Sequence, residues 1–273
     1  MKIMTAFFKK PQMTAAVLFL TLLLHSCTKE VFNSGITKEF VLRADLYGAS
    51  YSIKVGLPDS YNPAEKYATI YVLDGKEIFG FVANKCKEIS GTYNKKNVLV
   101  VSIGYGRDRS IDYTPTKMSS VTGGAPQFLQ FIETQLIPKM EQDFNADTTR
   151  ESRVILGHSY GGLFGAYAFA INGKVFGNYI ILSPSLWFDK YVMLDMEEEN
   201  RINNKYKKQL VFMGIGENEE KDRMLAPFET FYQVLQNNYS NITLSKYSES
   251  NAGHMPSRNP NIVKGLNFYF QNR

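Results

Sequence analysis

From about residue 40 to the C-terminus, short apolar runs alternate with longer amphipathic stretches. Eight runs have strand character: Phe40–Leu46, Tyr51–Leu57, Thr69–Leu73, Val98–Ile103, Arg153–Leu156, Tyr179–Leu182, Leu210–Ile215 and Ile242–Tyr247. The central ones (VLVVSI, RVIL, YIIL, LVFMGI) are apolar at both alternating sets of positions, as strands buried on both faces of a parallel sheet must be. The first two, joined by Tyr47–Ser50, predict an antiparallel hairpin. Between the runs lie helical patterns at Glu77–Tyr93, Gln127–Phe144, Pro227–Asn237 and Ile262–Gln271, and in the small-residue stretch LFGAYAFAI. The second of these puts Phe128, Phe131, Ile132, Leu136, Met140 and Phe144 on one side, with Pro138 placed to bend it. Such alternation predicts the α/β class: a mostly parallel, doubly wound sheet with helices on both faces and an N-terminal antiparallel hairpin. Neither repeat nor linker interrupts it, so residues 39–273 read as one domain. In such sheets ligands bind at the C-terminal ends of the strands.

The N-terminus follows a different pattern. A basic stretch ending at Lys10 precedes an apolar run from Thr14 to Leu24, too short to span a bilayer as a helix but suited to the core of a signal peptide. The run closes on Leu24-His25-Ser26-Cys27, which resembles the lipobox of bacterial lipoproteins. Residues 1–26 then read as a signal peptide, Cys27 as the lipidated first mature residue and 27–38 as a tether. The chain is expected to be exported and held by lipid at the periplasmic face or the cell surface of the envelope. Of two cysteines, Cys27 is then used for lipid, and Cys86 has no partner for a disulfide. Cys86 falls in the helix Glu77–Tyr93 and reads as a buried small hydrophobe.

Composition changes the picture mainly through charge. The chain of 273 residues is 44% hydrophobic and 21% charged, an ordinary folded composition. Its net charge of +5 includes three lysines of the leader, and without residues 1–26 there are 28 basic against 26 acidic residues. A body so close to neutral, with its signs mixed, gives no footprint for nucleic acid.

The candidate chemistry centres on Gly157-His158-Ser159-Tyr160-Gly161, followed by Gly162. A G-x-S-x-G between a buried strand and a helix is the context of a nucleophile elbow, where small neighbours tolerate a strained turn that exposes Ser159 Oγ. A nucleotide loop would need G-x-G-x-x-G, or Lys before Ser or Thr, and neither is present. Such a serine needs a histidine base later in the chain. Of three histidines, His25 lies in the leader and His158 adjoins the nucleophile, which leaves His254 after the last strand. The carboxylate that orients the base should follow LVFMGI. The loop there holds Glu217, Glu219, Glu220 and Asp222, and a Gly-x-x-acid spacing picks Glu219 from Gly216 or Glu217 from Gly214. Two backbone N–H groups must face the tetrahedral oxygen. Tyr160 supplies one, and Lys76, after the strand end Leu73-Asp74-Gly75, is the candidate for the other. Trp187, in SPSLW after YIIL, either walls an aryl or acyl pocket or packs beneath its loop. Arg109 and Asp112, three apart, either pin each other or leave Arg109 for an anionic substrate, with Tyr113 beside them on the pocket rim.

With YVLDG, R-x-x-D-Y-T-P, GHSYGG, SPSLW, G-x-x-E and the late Gly253-His254 in this order, the chain resembles the Putative esterase family of α/β hydrolases, which includes siderophore, feruloyl and acetyl-xylan esterases. SPSLW and the Glu-bearing loop are most similar to the siderophore-esterase branch. The resemblance implies the α/β-hydrolase fold, Ser159 as nucleophile, His254 as base and the N–H groups of Lys76 and Tyr160 as the oxyanion hole. It leaves Glu219 and Glu217 open. The expected activity is a serine carboxylic-ester hydrolase working through an acyl-enzyme on a small-molecule ester such as a siderophore or other aryl ester, with no metal or organic cofactor. A feruloyl or acetyl-xylan esterase is the alternative substrate reading. Acyl transfer to another acceptor, and a non-catalytic binding lipoprotein on the same fold, are the competitors of other classes.

Overall fold

The computed structural model describes residue 32 and residues 35–95 and 98–273. The leader and the lipobox cysteine lie outside the described residues. Eight strands form one sheet: β1 (Thr37–Arg43), β2 (Ser50–Gly56), β3 (Ala68–Val72), β4 (Val98–Ile103), β5 (Arg153–His158), β6 (Asn178–Leu182), β7 (Gln209–Gly216) and β8 (Ile242–Glu249). Their spatial order is β1-β2-β4-β3-β5-β6-β7-β8. The hairpin β1–β2 joins the sheet antiparallel to β4, and every pairing from β4 through β8 is parallel. This is the mixed sheet expected for an α/β hydrolase. The first strand begins at Thr37, inside the stretch read as tether, and ends three residues earlier than expected.

Alternation along the buried strands divides the core in two. Tyr71, Leu99, Val101, Ile155, Ile181, Val211 and Met213 face one layer, while Ile70, Val72, Val100, Leu156, Ile180 and Phe212 face the other. The second layer is closed by α1 (Gly75–Thr92) and α8 (Arg258–Asn272), through Ile78, Val82, Cys86, Ile262 and Leu266. Cys86 is buried as expected, and burial pushes its thiol up to about 12. The first layer is closed by α2 (Arg109–Tyr113), α3 (Ala125–Phe131), α4 (Ile137–Phe144), α5 (Tyr160–Ile171), α6 (Val192–Asn204) and α7 (Ala226–Asn238).

Helices α3 and α4 are one rod joined by a π-turn at Ile132–Leu136, and a second π-turn, Lys221–Leu225, leads into α7. Each immediately precedes a helix with proline in its first turn, Pro138 or Pro227. Proline has no N–H for the i−4 carbonyl, and the turn before it widens, so that Ile137 N–H reaches Ile132 O, five residues back. Among the described residues no helix is long and apolar enough to cross a membrane.

Candidate active site

At the C-terminal end of β5 the chain turns into α5 through Ser159, whose φ of 60° and ψ of −119° are strained for any residue with a side chain. The turn is possible because its neighbours lack side chains. A Cβ on Gly157 would meet Gly161 O at 2.3 Å, and one on Gly162 would meet Leu182 O at 2.6 Å. The Ser159 amide donates to Leu182 O (2.9 Å), tying the elbow to the end of β6. The first N–H groups of α5, beginning with Tyr160, have no intrahelical acceptor and point toward the cleft end of the sheet, where the helix dipole favours negative charge.

His254 lies in the turn between β8 and α8. Its Nδ1 is 2.8 Å from Oε2 of Glu219, which follows β7. Oε1 of the same carboxylate accepts from the Gly216 amide (2.9 Å) and from Ser183 Oγ (2.6 Å). Burial alone would raise the Glu219 carboxyl, but hydrogen bonds from His254, Ser183 and Gly216 outweigh it and hold it below its ordinary 4.5. A charged, saturated carboxylate on Nδ1 fixes that nitrogen as the donor and leaves Nε2 to accept a proton. Glu217 is exposed. Its amide continues the β7–β8 ladder to Glu249 O, and its carboxylate accepts from the Asn251 amide (3.1 Å). Between the two carboxylates that sequence left open, Glu219 is the one that meets the imidazole.

Ser159, Tyr160, Glu219 and His254 line one cleft of about 460 Å³ together with Arg109, Ser185, Trp187, Asn218 and Arg223. Ser159 Oγ lies 3.5 Å from Ser185 Oγ, and the Ser185 amide donates to Ser159 O (3.1 Å). Trp187 both lines the cleft and packs on the core, and the Arg223 guanidinium stands 3.8 Å over its ring.

Three rim residues have other surroundings than the sequence suggested. Arg109 lines the cleft but does not pair with Asp112. It grips the buried Asp74, 35 residues upstream, through Nε to Oδ1 and Nη2 to Oδ2, both 2.8 Å. Asp112 is held instead by Arg107 Nε (2.6 Å) and the Tyr51 hydroxyl (2.8 Å). Tyr113 is buried between Phe128 and Phe164, and its hydroxyl accepts from the Asp74 amide (3.1 Å), so it supports the β3 turn from below. Lys76 is exposed in the first turn of α1 and is not among the residues lining the cleft.

Sequence reasoning passed over three polar residues here. Ser183, with a φ of 39°, donates to Glu219, and Ser257 Oγ donates to His254 O (3.1 Å). His158, set aside as a base, packs its ring 4.6 Å from that of His254 and bonds to the His254 carbonyl through Nε2 (2.9 Å). Since a carbonyl only accepts, Nε2 carries the proton. Burial, then the neighbouring His254, pushes the His158 imidazole down to about 3. Among the described residues no group of three His, Cys, Asp or Glu is placed to hold a metal ion.

A serine on a strained elbow, an oriented imidazole and helix-end amides at one cleft are the kinds of group that acyl transfer requires. Comparison with known proteins agrees. The model of the family described as Putative esterase matches residues 45–256. Ferri-bacillibactin esterase of Bacillus subtilis is 30% identical over 212 residues, covering 68% of this chain and 72% of that protein. Apo-salmochelin esterase of Escherichia coli O6:H1 is 32% identical over 155 residues, half of this chain and only 47% of that protein's length. Among solved structures, the BES protein of Bacillus cereus has a TM-score of 0.77 at 29% identity, covering 89% of this chain and 97% of that one.

Proposed function

The chain belongs to the Putative esterase family, and from that premise we propose that it is a serine carboxylic-ester hydrolase acting on siderophore-like esters. The observation that carries the reading is the 2.8 Å contact between Glu219 and His254 Nδ1 beside a serine on a strained elbow, all lining one cleft.

Ser159 Oγ attacks the ester carbonyl while His254 Nε2 takes its proton, and Glu219 stabilises the imidazolium that results. The Tyr160 amide, at the start of α5, receives the developing oxyanion. Collapse expels the alcohol, which takes its proton from His254, and leaves an acyl-enzyme. Water activated by the same imidazole then releases the acid and restores Ser159. The second oxyanion donor is proposed to be the amide of Lys76, an assignment that rests on the family resemblance.

Two features support the substrate class. Two of the relatives above are named as esterases of apo-salmochelin and ferri-bacillibactin, and a third relative, of Aspergillus fumigatus, as a siderophore triacetylfusarinine C esterase. The cleft also sets the Arg223 guanidinium beside Trp187, a lining that suits an aromatic ester of negative charge. The test is hydrolysis of nitrophenyl butyrate and of a catecholate trilactone siderophore by the full chain beside Ser159→Ala. Release that vanishes in the variant supports the reading, and folded wild-type protein inert on both would overturn it. Export and lipid attachment at Cys27 are proposed from the sequence alone. Incorporation of labelled palmitate that Cys27→Ala abolishes would bear them out, and equal labelling of both chains would refute them.

A further inference from the structure

We propose that His158 is a positioning residue for the base: its Nε2–H holds the main-chain carbonyl of His254 and thereby fixes the reach from imidazole to nucleophile. The inference rests on the reading of Ser159 and His254 as nucleophile and base.

Two separate sets of bonds act on His254. Its side chain is oriented by Glu219, which fixes the rotation of the ring but not the height of the turn that carries it. That turn, between β8 and α8, stands at the margin of the sheet, and the His254 side chain is 36% exposed. The loop after β7 holds the start of the turn, through the Asn218 amide on Ala252 O (2.9 Å) and the Asn251 amide on Glu217 (3.1 Å), and at His254 itself two donors converge on the carbonyl, His158 Nε2 at 2.9 Å and Ser257 Oγ at 3.1 Å. Ser257 belongs to the same turn. His158 is the donor of the two that comes from elsewhere in the fold.

What makes His158 suited to the task is its covalent neighbour. It precedes Ser159 directly, so the group gripping the base's backbone is joined to the nucleophile by one peptide bond, about 3.8 Å from Cα to Cα. Any drift of the turn relative to the elbow must stretch this bond. His158 itself cannot drift, because it is 4% exposed and sits within β5, paired with Leu182 of β6. Its ring also packs on the His254 ring at 4.6 Å between centroids. A buried neutral imidazole can do this without opposing the charge that His254 takes on during catalysis, whereas a lysine or arginine could not.

The test uses the full chain in detergent, with a fluorophosphonate as the probe of Ser159 and nitrophenyl butyrate as the ester. His158→Phe keeps a ring and removes the donor. His158→Gln removes the ring and keeps an amide N–H at the distance of Nε2. The expected result is Ser159 labelling and kcat about tenfold lower in the Phe variant with KM unchanged, and both within about threefold of wild type in the Gln variant. Labelling and kcat of the Phe variant equal to wild type, equal losses in the Phe and Gln variants, or a rise in KM alone would overturn the inference while leaving the hydrolase reading intact. Wild-type protein that the probe does not label at Ser159 would overturn both. If the Phe variant does not fold, His158→Asn, whose amide is too short to reach the carbonyl, takes its place with the same expected loss.

Discussion

Lowering the pH below about 6.5 should destabilise this protein through His158. The imidazole is buried, and its pKa falls to about 3, first through burial, then through the charge of His254 and of Arg258, with the bond to the His254 carbonyl and then Glu219 pulling the other way. In the unfolded chain it titrates near its ordinary 6.5. Between those values the unfolded chain binds a proton that the native state refuses. The stability that neutral burial contributes is complete above 6.5 and is lost as pH falls toward the folded value. One proton gives a slope of about 1.4 kcal/mol per pH unit, so acidification from pH 6.5 to 5 costs about 2 kcal/mol. That is a sizeable part of a total stability of about 5–15 kcal/mol. Urea unfolding of wild type and His158→Gln at pH 7, 6 and 5 isolates the effect, because groups common to both cancel. The Gln variant is expected to be less stable at pH 7, and the gap should narrow by about 2 kcal/mol at pH 5. Parallel pH profiles for the two proteins would show that the native state accepts the proton and that the reasoning from burial is wrong.

Glu219→Gln places an amide against His254 Nδ1 and favours the wrong tautomer, so kcat/KM for nitrophenyl butyrate should fall by about 10⁴, against less than threefold for Glu217→Gln; comparable losses in both would move the acid assignment. Glu219 titrates in a lower window than His158: its contribution to stability is complete above 4.5 and lost as pH falls through its depressed folded value, a loss the Gln variant should not show in acid unfolding. Ser159→Gly relieves the strained φ and should raise the stability of an inactive protein by about 1 kcal/mol, seen as a Tm a few degrees higher by calorimetry. Arg109→Ala leaves the buried Asp74 carboxylate with the Tyr105 hydroxyl but without its charge partner and should cost about 3 kcal/mol in urea unfolding; a change in KM with no loss of stability would show that Arg109 serves the substrate instead.

The central strands were legible because buried parallel strands leave short apolar runs, and β4 coincides with its expected bounds. Helix α6 was not foreseen, since VMLDMEEENRINN is mostly polar and buries few side chains, among them Met193 and the ion-paired Glu197. Ser159 and His254 could be read from a local motif and from the scarcity of histidine. The choice of Glu219 could not, because two carboxylates on one loop differ only in which way the turn after Gly216 aims them. Arg109 was misleading for a related reason: an i, i+3 spacing promises proximity on a short helix, but the left-handed Asp74 on a distant strand end offers the better fork. The roles of His158, Ser183 and Ser257 depend on strands meeting at the cleft, and no spacing along the chain encodes them.

His254, the proposed base, hangs from β8, which among the described residues pairs only with β7 at the margin of the sheet, whereas Ser159, the proposed nucleophile, follows β5 between two neighbours. Marginal strands open locally at lower free energy than central ones. On the proposed reading, catalysis then depends on the least durable part of the scaffold. A brief fraying of β8 withdraws the imidazole while the elbow stays formed. Activity should fade at urea concentrations where the spectroscopic signal of the folded sheet is still intact, and return at once on dilution.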